Sequence, residues 1–246
     1  VLITGANQGI GLEFARQYAA RDWCVIATHR RSSTPAALVQ LAEQYPQVRI
    51  ERMDVTDARQ IEALGARLSG VPIDILVHNA GLVRTDPLDV PDGNANQLFG
   101  SLDYELLNDF IRTNVAGPLK ITETLIENVR AGRQKKIVAI SSAAGSVSVP
   151  PFMPNGAPLP DHYWYRISKA ALNSAMRLLS AQLEADGITV VMFHPGGVQV
   201  ESFGNMKIPG LLSPQEAIGN MIRTIDGLGS KDSGRFMDND GTDHAW

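Results

Sequence analysis

The chain has 246 residues, 44% hydrophobic and 20% charged, which suits one globular α/β domain with a full core and requires no second domain. A formal net charge of -4 and a pI of about 5.7 give no electrostatic reason for nucleic acid or an anionic membrane as partner, since the basic pairs Arg30-Arg31 and Lys135-Lys136 stand isolated. One cysteine excludes a disulfide within the chain, and no apolar run approaches the roughly 20 residues that span a bilayer. Cys24, inside Trp23-Cys24-Val25-Ile26-Ala27, reads as a buried, inert thiol. Together with a chain start that reads as a strand rather than a signal peptide, it points to a cytoplasmic setting.

Val1-Leu2-Ile3-Thr4 predicts a strand, Gly5-Ala6-Asn7-Gln8-Gly9-Ile10-Gly11 a glycine loop, and the spacing of Leu12, Phe14, Ala15, Tyr18 and Ala19 a helix. Glycines let the backbone turn tightly and approach a ligand, while the N–H groups and positive dipole end of the helix favour a pyrophosphate. The order is Gly-x-x-x-Gly-x-Gly, not Gly-x-Gly-x-x-Gly, and such a turn alone does not identify its ligand. The alternation continues with a strand from Cys24 to Thr28, a helix from Pro35 to Gln44, a strand from Val48 to Met53 closed by Asp54-Val55-Thr56-Asp57, and a helix from Ala58 to Leu68. Ile73 to Val77 is the next strand, closed by His78-Asn79-Ala80-Gly81. Strands separated by such helices imply right-handed crossovers and a parallel sheet covered on both faces, with ligands beyond the strands' carboxyl ends.

Leu82 to Phe99 is rich in Pro, Asp, Asn and Gly and reads as a loop. Leu102 to Val115 and Leu119 to Val129 read as one long helical stretch interrupted at Asn114 to Pro118. The strand Lys135 to Ile140 ends in Ser141-Ser142, and the prolines at 150, 151, 154, 158 and 160 make residues 147–161 irregular, read as an ordered insertion over the active site, with a mobile surface loop as the alternative reading. A helix carrying Tyr165 and Lys169 runs to about Ala185 and stops at Gly187. Ile188 to Phe193 is a strand ending in His194-Pro195-Gly196-Gly197-Val198, followed by a substrate loop over about 196–213. Ser213-Pro214-Gln215-Glu216 opens a helix with an N-cap, a first-turn proline and a returning carboxylate, and Arg235 to Met237 is the last strand.

Tyr165 and Lys169, four apart, share a helix face. A phenol ordinarily ionises near ~10, and a neighbouring cation favours its phenolate, which would make Tyr165 a usable acid or base at neutral pH. A plain amphipathic helix whose Tyr and Lys snorkel at the surface fits the same residues equally well. His29, His78, His162, His194 and His244 show no metal-ligand spacing, so no metal site is expected.

The ordered set Thr4-Gly5-x-x-x-Gly9-x-Gly11, Asn79-Ala80-Gly81, Asn114, Ser142, Tyr165-x-x-x-Lys169 and Pro195-Gly196 resembles the short-chain dehydrogenases/reductases over essentially the whole chain. Phe99-Gly100-Ser101-Leu102 and the tail from Ser233 to Trp246 resemble the carbonyl-reductase branch that includes the C-factor and sniffer-like proteins. The resemblance implies a single doubly wound Rossmann-type domain over 1–246, with a seven-stranded, mostly parallel sheet. It implies hydride transfer between a nicotinamide cofactor and a carbonyl or alcohol carbon. Tyr165 would exchange the proton, Ser142 would hydrogen-bond the substrate oxygen, Lys169 would lower the Tyr165 pKa and hold the nicotinamide ribose, and Asn114 would anchor a water of the proton relay. Without the family, Asn114 reads as an amide filling a helix kink. The cofactor would be held by Gly5, Asn7, Gln8, Gly9, Ile10, Gly11, His29, Arg30, Asp54, Val55, Asn79, Ala80, Gly81, Tyr165, Lys169, Pro195, Gly196 and Val198; Asp54 also reads as a strand-end cap.

Thr28-His29-Arg30-Arg31 offers positive charge to a 2′-phosphate where NAD-binding relatives carry an acid, so NADP(H) is expected over NAD, although Gln8 is not the basic residue many NADP-dependent relatives have. Three departures from the family pattern stand out: a longer Ser142 to Tyr165 spacing, Val200 in place of a Thr, and His78 in place of an Asn. The expected substrate is a small aldehyde, ketone, quinone or alcohol with an apolar part, met by Phe99, Phe152, Met153, Tyr163, Trp164, Phe203 and Met206, although loop packing explains these side chains equally. A homodimer or homotetramer is the family's habit. The competing reading is a dinucleotide-sensing signalling protein of C-factor type with little turnover.

Overall fold

The computed structural model describes residues 1–83, 95–148, 162–199 and 210–246. Most of the proline-rich segment, with Phe152 and Met153, and Val200, Phe203 and Met206 lie outside the described residues. Seven strands, β1 (Leu2–Ile3), β2 (Val25–His29), β3 (Val48–Arg52), β4 (Ile75–His78), β5 (Lys136–Ile140), β6 (Thr189–His194) and β7 (Phe236–Asp238), form one sheet in the order β3-β2-β1-β4-β5-β6-β7. Every neighbouring pair is parallel, as the sequence predicts. The helices are α1 (Gly9–Ala19), α2 (Ala36–Gln44), α3 (Ala58–Arg67), α4 (Leu106–Ile111), α5 (Gly117–Arg130), α6 (Tyr163–Gln182) and α7 (Pro214–Gly227).

The central strands are apolar at nearly every position because both faces of the sheet are covered. Side chains alternate between the faces, so Ile3, Val77, Val138 and Val191 pack with Phe14 and Tyr18 of α1, Leu38 of α2 and Ile218 and Met221 of α7. Leu2, Leu76, Ile137 and Val190 face the other way, onto Ile61 and Leu64 of α3, Ile121 and Leu125 of α5 and Leu172 and Met176 of α6. The doubly wound layering follows directly from this two-residue alternation. After β3 the chain crosses to β4 on the far side of β1, and this reversal opens a crevice beyond the carboxyl ends of β1 and β4.

Several local expectations are met. Gly187 adopts φ +68 after a 3-10 turn at Glu184–Asp186, a left-handed ending that glycine accommodates without strain. Ser213 and Glu216 form a complete capping box at α7, with Pro214 in its first turn. The long helical stretch instead begins at Leu106 and breaks into a π-turn at Arg112–Ala116 before α5, so the interruption contains Asn114 but begins two residues before it. The thiol expectation is overturned: Cys24 is exposed, because β2 begins only at Val25 and Cys24 lies just before the sheet's covered zone.

Candidate functional site

The crevice is walled by a hydrogen-bonded joint between two strand ends. Thr4 Oγ1 donates to Val77 O at 3.3 Å and accepts from the N–H groups of Asn79 and Ala80, both at 3.0 Å. Asn79 returns the contact, its Nδ2 donating to Thr4 O (2.9 Å) and Gly5 O (3.0 Å). Gly5 has φ +65, and a Cβ there would lie 3.0 Å from the Ala80 Cα, so both conformation and space require glycine. Gln8 then leads into α1 without supplying a side-chain cap.

A cleft of about 620 Å³ opens at this joint. Of the residues expected to hold a cofactor, Gly5, Asn7, Gln8, Gly9, Ile10, Gly11, His29, Arg30, Asp54, Val55, Asn79, Ala80 and Gly81 line it, joined by Arg31, Met53, Thr56, Leu82, Asp109 and Thr113. His29, the last residue of β2, is buried, and its Nδ1 has no hydrogen-bond partner among the described residues. Burial, then the Arg52 charge, pushes the His29 pKa down. Arg30 and Arg31 are exposed at the rim. Asp54 is in part the strand-end cap that its position suggests, since Oδ1 accepts from Thr56 N (2.9 Å) and Oγ1 (2.8 Å). A helix entry, a glycine turn, an orphaned imidazole nitrogen and two rim guanidiniums are a set of groups that suits a phosphorylated dinucleotide.

Ser142, Tyr165 and Lys169 converge next to this cleft. Ser142 follows β5 and begins a 3-10 turn at Ala143–Gly145, its Oγ accepting from Ala144 N at 3.1 Å. A Cβ on Gly145 would lie 2.8 Å from the carbonyl carbon of Lys169, so the absence of a side chain lets the Ser142 turn sit directly on α6. Ser141 and Asn173 bolt the same joint, Ser141 Oγ donating to Asn173 Oδ1 at 2.5 Å. On α6, Lys169 Nζ lies 5.8 Å from the Tyr165 ring centroid and donates to Ile140 O at 2.8 Å. A Cβ on Gly81 would sit 3.6 Å from Lys169 Nζ and 3.4 Å from Asn114 Oδ1, which ties this group to the cleft wall.

Burial acts on both members of the Tyr165–Lys169 pair. Burial pushes Tyr165 up, opposed by a hydrogen bond with Ser142, and burial drives Lys169 down to about 8. Ser142 favours the phenolate by its hydrogen bond, and Lys169, with a pKa still above neutrality, remains a cation beside the ring at pH 7. Asn114 is buried in the π-turn; Oδ1 accepts from Leu82 N (2.7 Å), and Nδ2 donates to Leu82 O (2.9 Å) and Ser168 Oγ (2.8 Å). Its side chain thus joins the π-turn to the segment after β4 and to α6.

Pro195, Gly196 and Val198 follow β6 but do not line the cleft: Val198 bridges to Leu212, and a Cβ on Gly196 would meet Asn239 Nδ2 at 2.9 Å. Trp164 is buried against Tyr104, and Phe99 is 85% exposed beside Tyr163, so these rings pack around the entrance of α6 rather than in the cleft. Thr4 and Arg31 enter the sequence pattern only as members of their motifs, with no contact assigned to either, and Gly145 and Asn173 have no place in it as site residues. Arg31 had the signal of a second adjacent cation, whereas a glycine three residues after a serine carries none.

Comparison with known proteins agrees with this geometry. The family model for short chain dehydrogenases matches residues 1–208. A 1-hydroxy-2-glutathionyl-2-methyl-3-butene dehydrogenase from Rhodococcus sp. (strain AD45) is 33% identical over 251 aligned positions, covering 100% of this chain and 99% of its own. The C-signal protein of Myxococcus xanthus is 33% identical over 175 residues, covering 71% of this chain and 93% of its own. The structure of NADPH-bound carbonyl reductase from chicken fatty liver superimposes with a TM-score of 0.84 at 30% identity, covering 100% of this chain and 98% of that one.

Proposed function

Since this chain belongs to the short-chain dehydrogenase family, an oxidoreductase family, we propose that it is an NADP(H)-dependent reductase interconverting a small carbonyl compound and its alcohol. The observation that carries the reading is the convergence of Ser142, Tyr165 and Lys169 beside Gly81, a wall residue of the glycine-turn cleft. A nicotinamide cofactor held in the cleft would supply or accept the hydride. Tyr165 gives its phenol proton to the carbonyl oxygen as the alcohol forms and takes it back in the reverse direction. Ser142 hydrogen-bonds the same oxygen, stabilising the charge that develops there, and favours the phenolate between turnovers. Lys169 is held by Ile140 O with its amine toward the Gly81 wall, where it serves the cofactor ribose and the returning proton.

Arg30 and Arg31 favour a 2′-phosphate over a bare ribose, and the NADPH named for the chicken reductase supports that preference. NADPH oxidation against a panel of aldehydes, ketones and quinones tests the reading. Wild type is expected to turn over, and Tyr165→Phe to lose roughly 100- to 10,000-fold in kcat while retaining NADPH binding. Equal rates for the two proteins with NADPH still bound would refute it and favour dinucleotide sensing, the reading to which likeness to the C-signal protein lends weight.

A further inference from the structure

Tyr165 is tethered through its backbone as well as its side chain. It stands in the first turn of α6, where N–H groups lack an intrahelical acceptor. Its N–H donates instead to Oε1 of Gln97 at 3.2 Å, across 68 residues of chain. Its carbonyl oxygen accepts from Ser168 Oγ at 2.8 Å, and Ser168 Oγ accepts in turn from Asn114 Nδ2. Gln97 is fully buried, at 0% exposure, in a 3-10 turn at Ala95–Gln97. Its Nε2 donates to Val83 O at 3.2 Å, two residues beyond Gly81 of the cleft wall. The amide therefore has an acceptor toward a donor and a donor toward an acceptor, and turning it over would oppose like groups on both sides.

We propose that Gln97 is a positioning residue for Tyr165: its amide oxygen fixes the backbone that carries the phenol, and its amide nitrogen ties that backbone to the strand-end segment bordering the cleft. The proposal rests on the role of Tyr165 given above. A buried amide with both ends satisfied is a stiff link, because letting go of either end strands a polar group away from water. The phenol must meet a substrate oxygen within hydrogen-bond reach, and a misplacement of ~1 Å costs on the order of 100-fold.

The two ends of the amide can be separated by substitution. Gln97→Met keeps the shape and removes both hydrogen bonds. Gln97→Glu keeps an acceptor for the Tyr165 N–H, at a helix end that favours negative charge, but loses the donor toward Val83 O. With NADPH and the best substrate of the panel, Gln97→Met is expected to lower kcat roughly 10-fold or more, with KM for NADPH within about threefold of wild type. Gln97→Glu is expected to keep kcat at least about threefold above that of Gln97→Met while raising KM, because the Tyr165 N–H keeps its acceptor while a carboxylate oxygen now opposes Val83 O. Should Gln97→Met not fold, Gln97→Asn, an amide one methylene shorter, is compared with Gln97→Glu in its place. A kcat for Gln97→Met within about twofold of wild type, or equal losses in the Met and Glu variants, would overturn the proposal, since a residue that only fills space does not distinguish them. Tyr165→Phe runs alongside: if it keeps full activity, the assignment of Tyr165 fails first, and that outcome is distinguishable from failure of the Gln97 link alone.

Discussion

His78 gives the chain a predictable sensitivity to acid. It ends β4 where the family pattern has an asparagine, is 2% exposed, and touches Thr122 Oγ1 through Nε2 at 2.8 Å. Burial lowers its pKa from 6.5 to about 3, so the folded chain keeps a neutral imidazole where the unfolded chain takes up a proton. The unfolded state therefore binds more protons between those two values. Stability is complete above pH 6.5 and is lost as the pH falls toward 3. At pH ~4.5, two units below the unfolded value, the loss is about 2.7 kcal/mol at ~1.36 kcal/mol per unit. His78→Asn carries no titrating group, and whatever its packing change costs is the same at both pH values. Urea denaturation at pH 7 and at pH 4.5 should show wild type losing about 2.5 kcal/mol more than the variant, equivalent to roughly 5–10 °C in melting temperature for a chain of this size. His29 and His194 are also shifted downward, but they are present in both proteins and cancel. Equal acid losses in the two proteins would refute the argument that this imidazole stays neutral in the fold.

Two further outcomes are expected. Gly145→Ala places a methyl 2.8–2.9 Å from the Lys169 backbone and Cβ, which no rotamer change relieves, so thermal melts should show a loss of about 1–3 kcal/mol, with kcat falling as the Ser142 turn lifts off α6. Arg30→Asp should reverse the thermal shift ranking of NADPH over NADH, with NADPH affinity falling roughly 10- to 100-fold for one lost charge-assisted contact; an unchanged ranking would move the 2′-phosphate contact away from Arg30.

The layered sheet was legible because it is written in local patterns. Apolar strands alternate with helices of regular period, and Gly187 and the Ser213–Glu216 box mark helix ends with residues whose reasons are local. The glycine turn and Asn79-Ala80-Gly81 were each legible at the carboxyl end of a strand, and the sheet sets them beside each other because β1 and β4 are neighbours. Cys24 was misjudged for a reason of the same scale: one residue of strand boundary separates a covered position from an exposed one.

The periodicity and ordered motifs of this chain are enough, without coordinates, to specify a doubly wound sheet, a glycine turn between strand and helix, and a Tyr165–Lys169 pair on one helix face, since each depends on residues a few positions apart. Packing alone decided that Lys169 and Tyr165 are desolvated, that Ser142 hydrogen-bonds Tyr165, and that Gln97 and Asn173 hold the helix carrying Tyr165 and Lys169. Those outcomes depend on how much water is excluded and on which groups meet across tens of residues, and neither quantity exists until the helices have closed over the sheet.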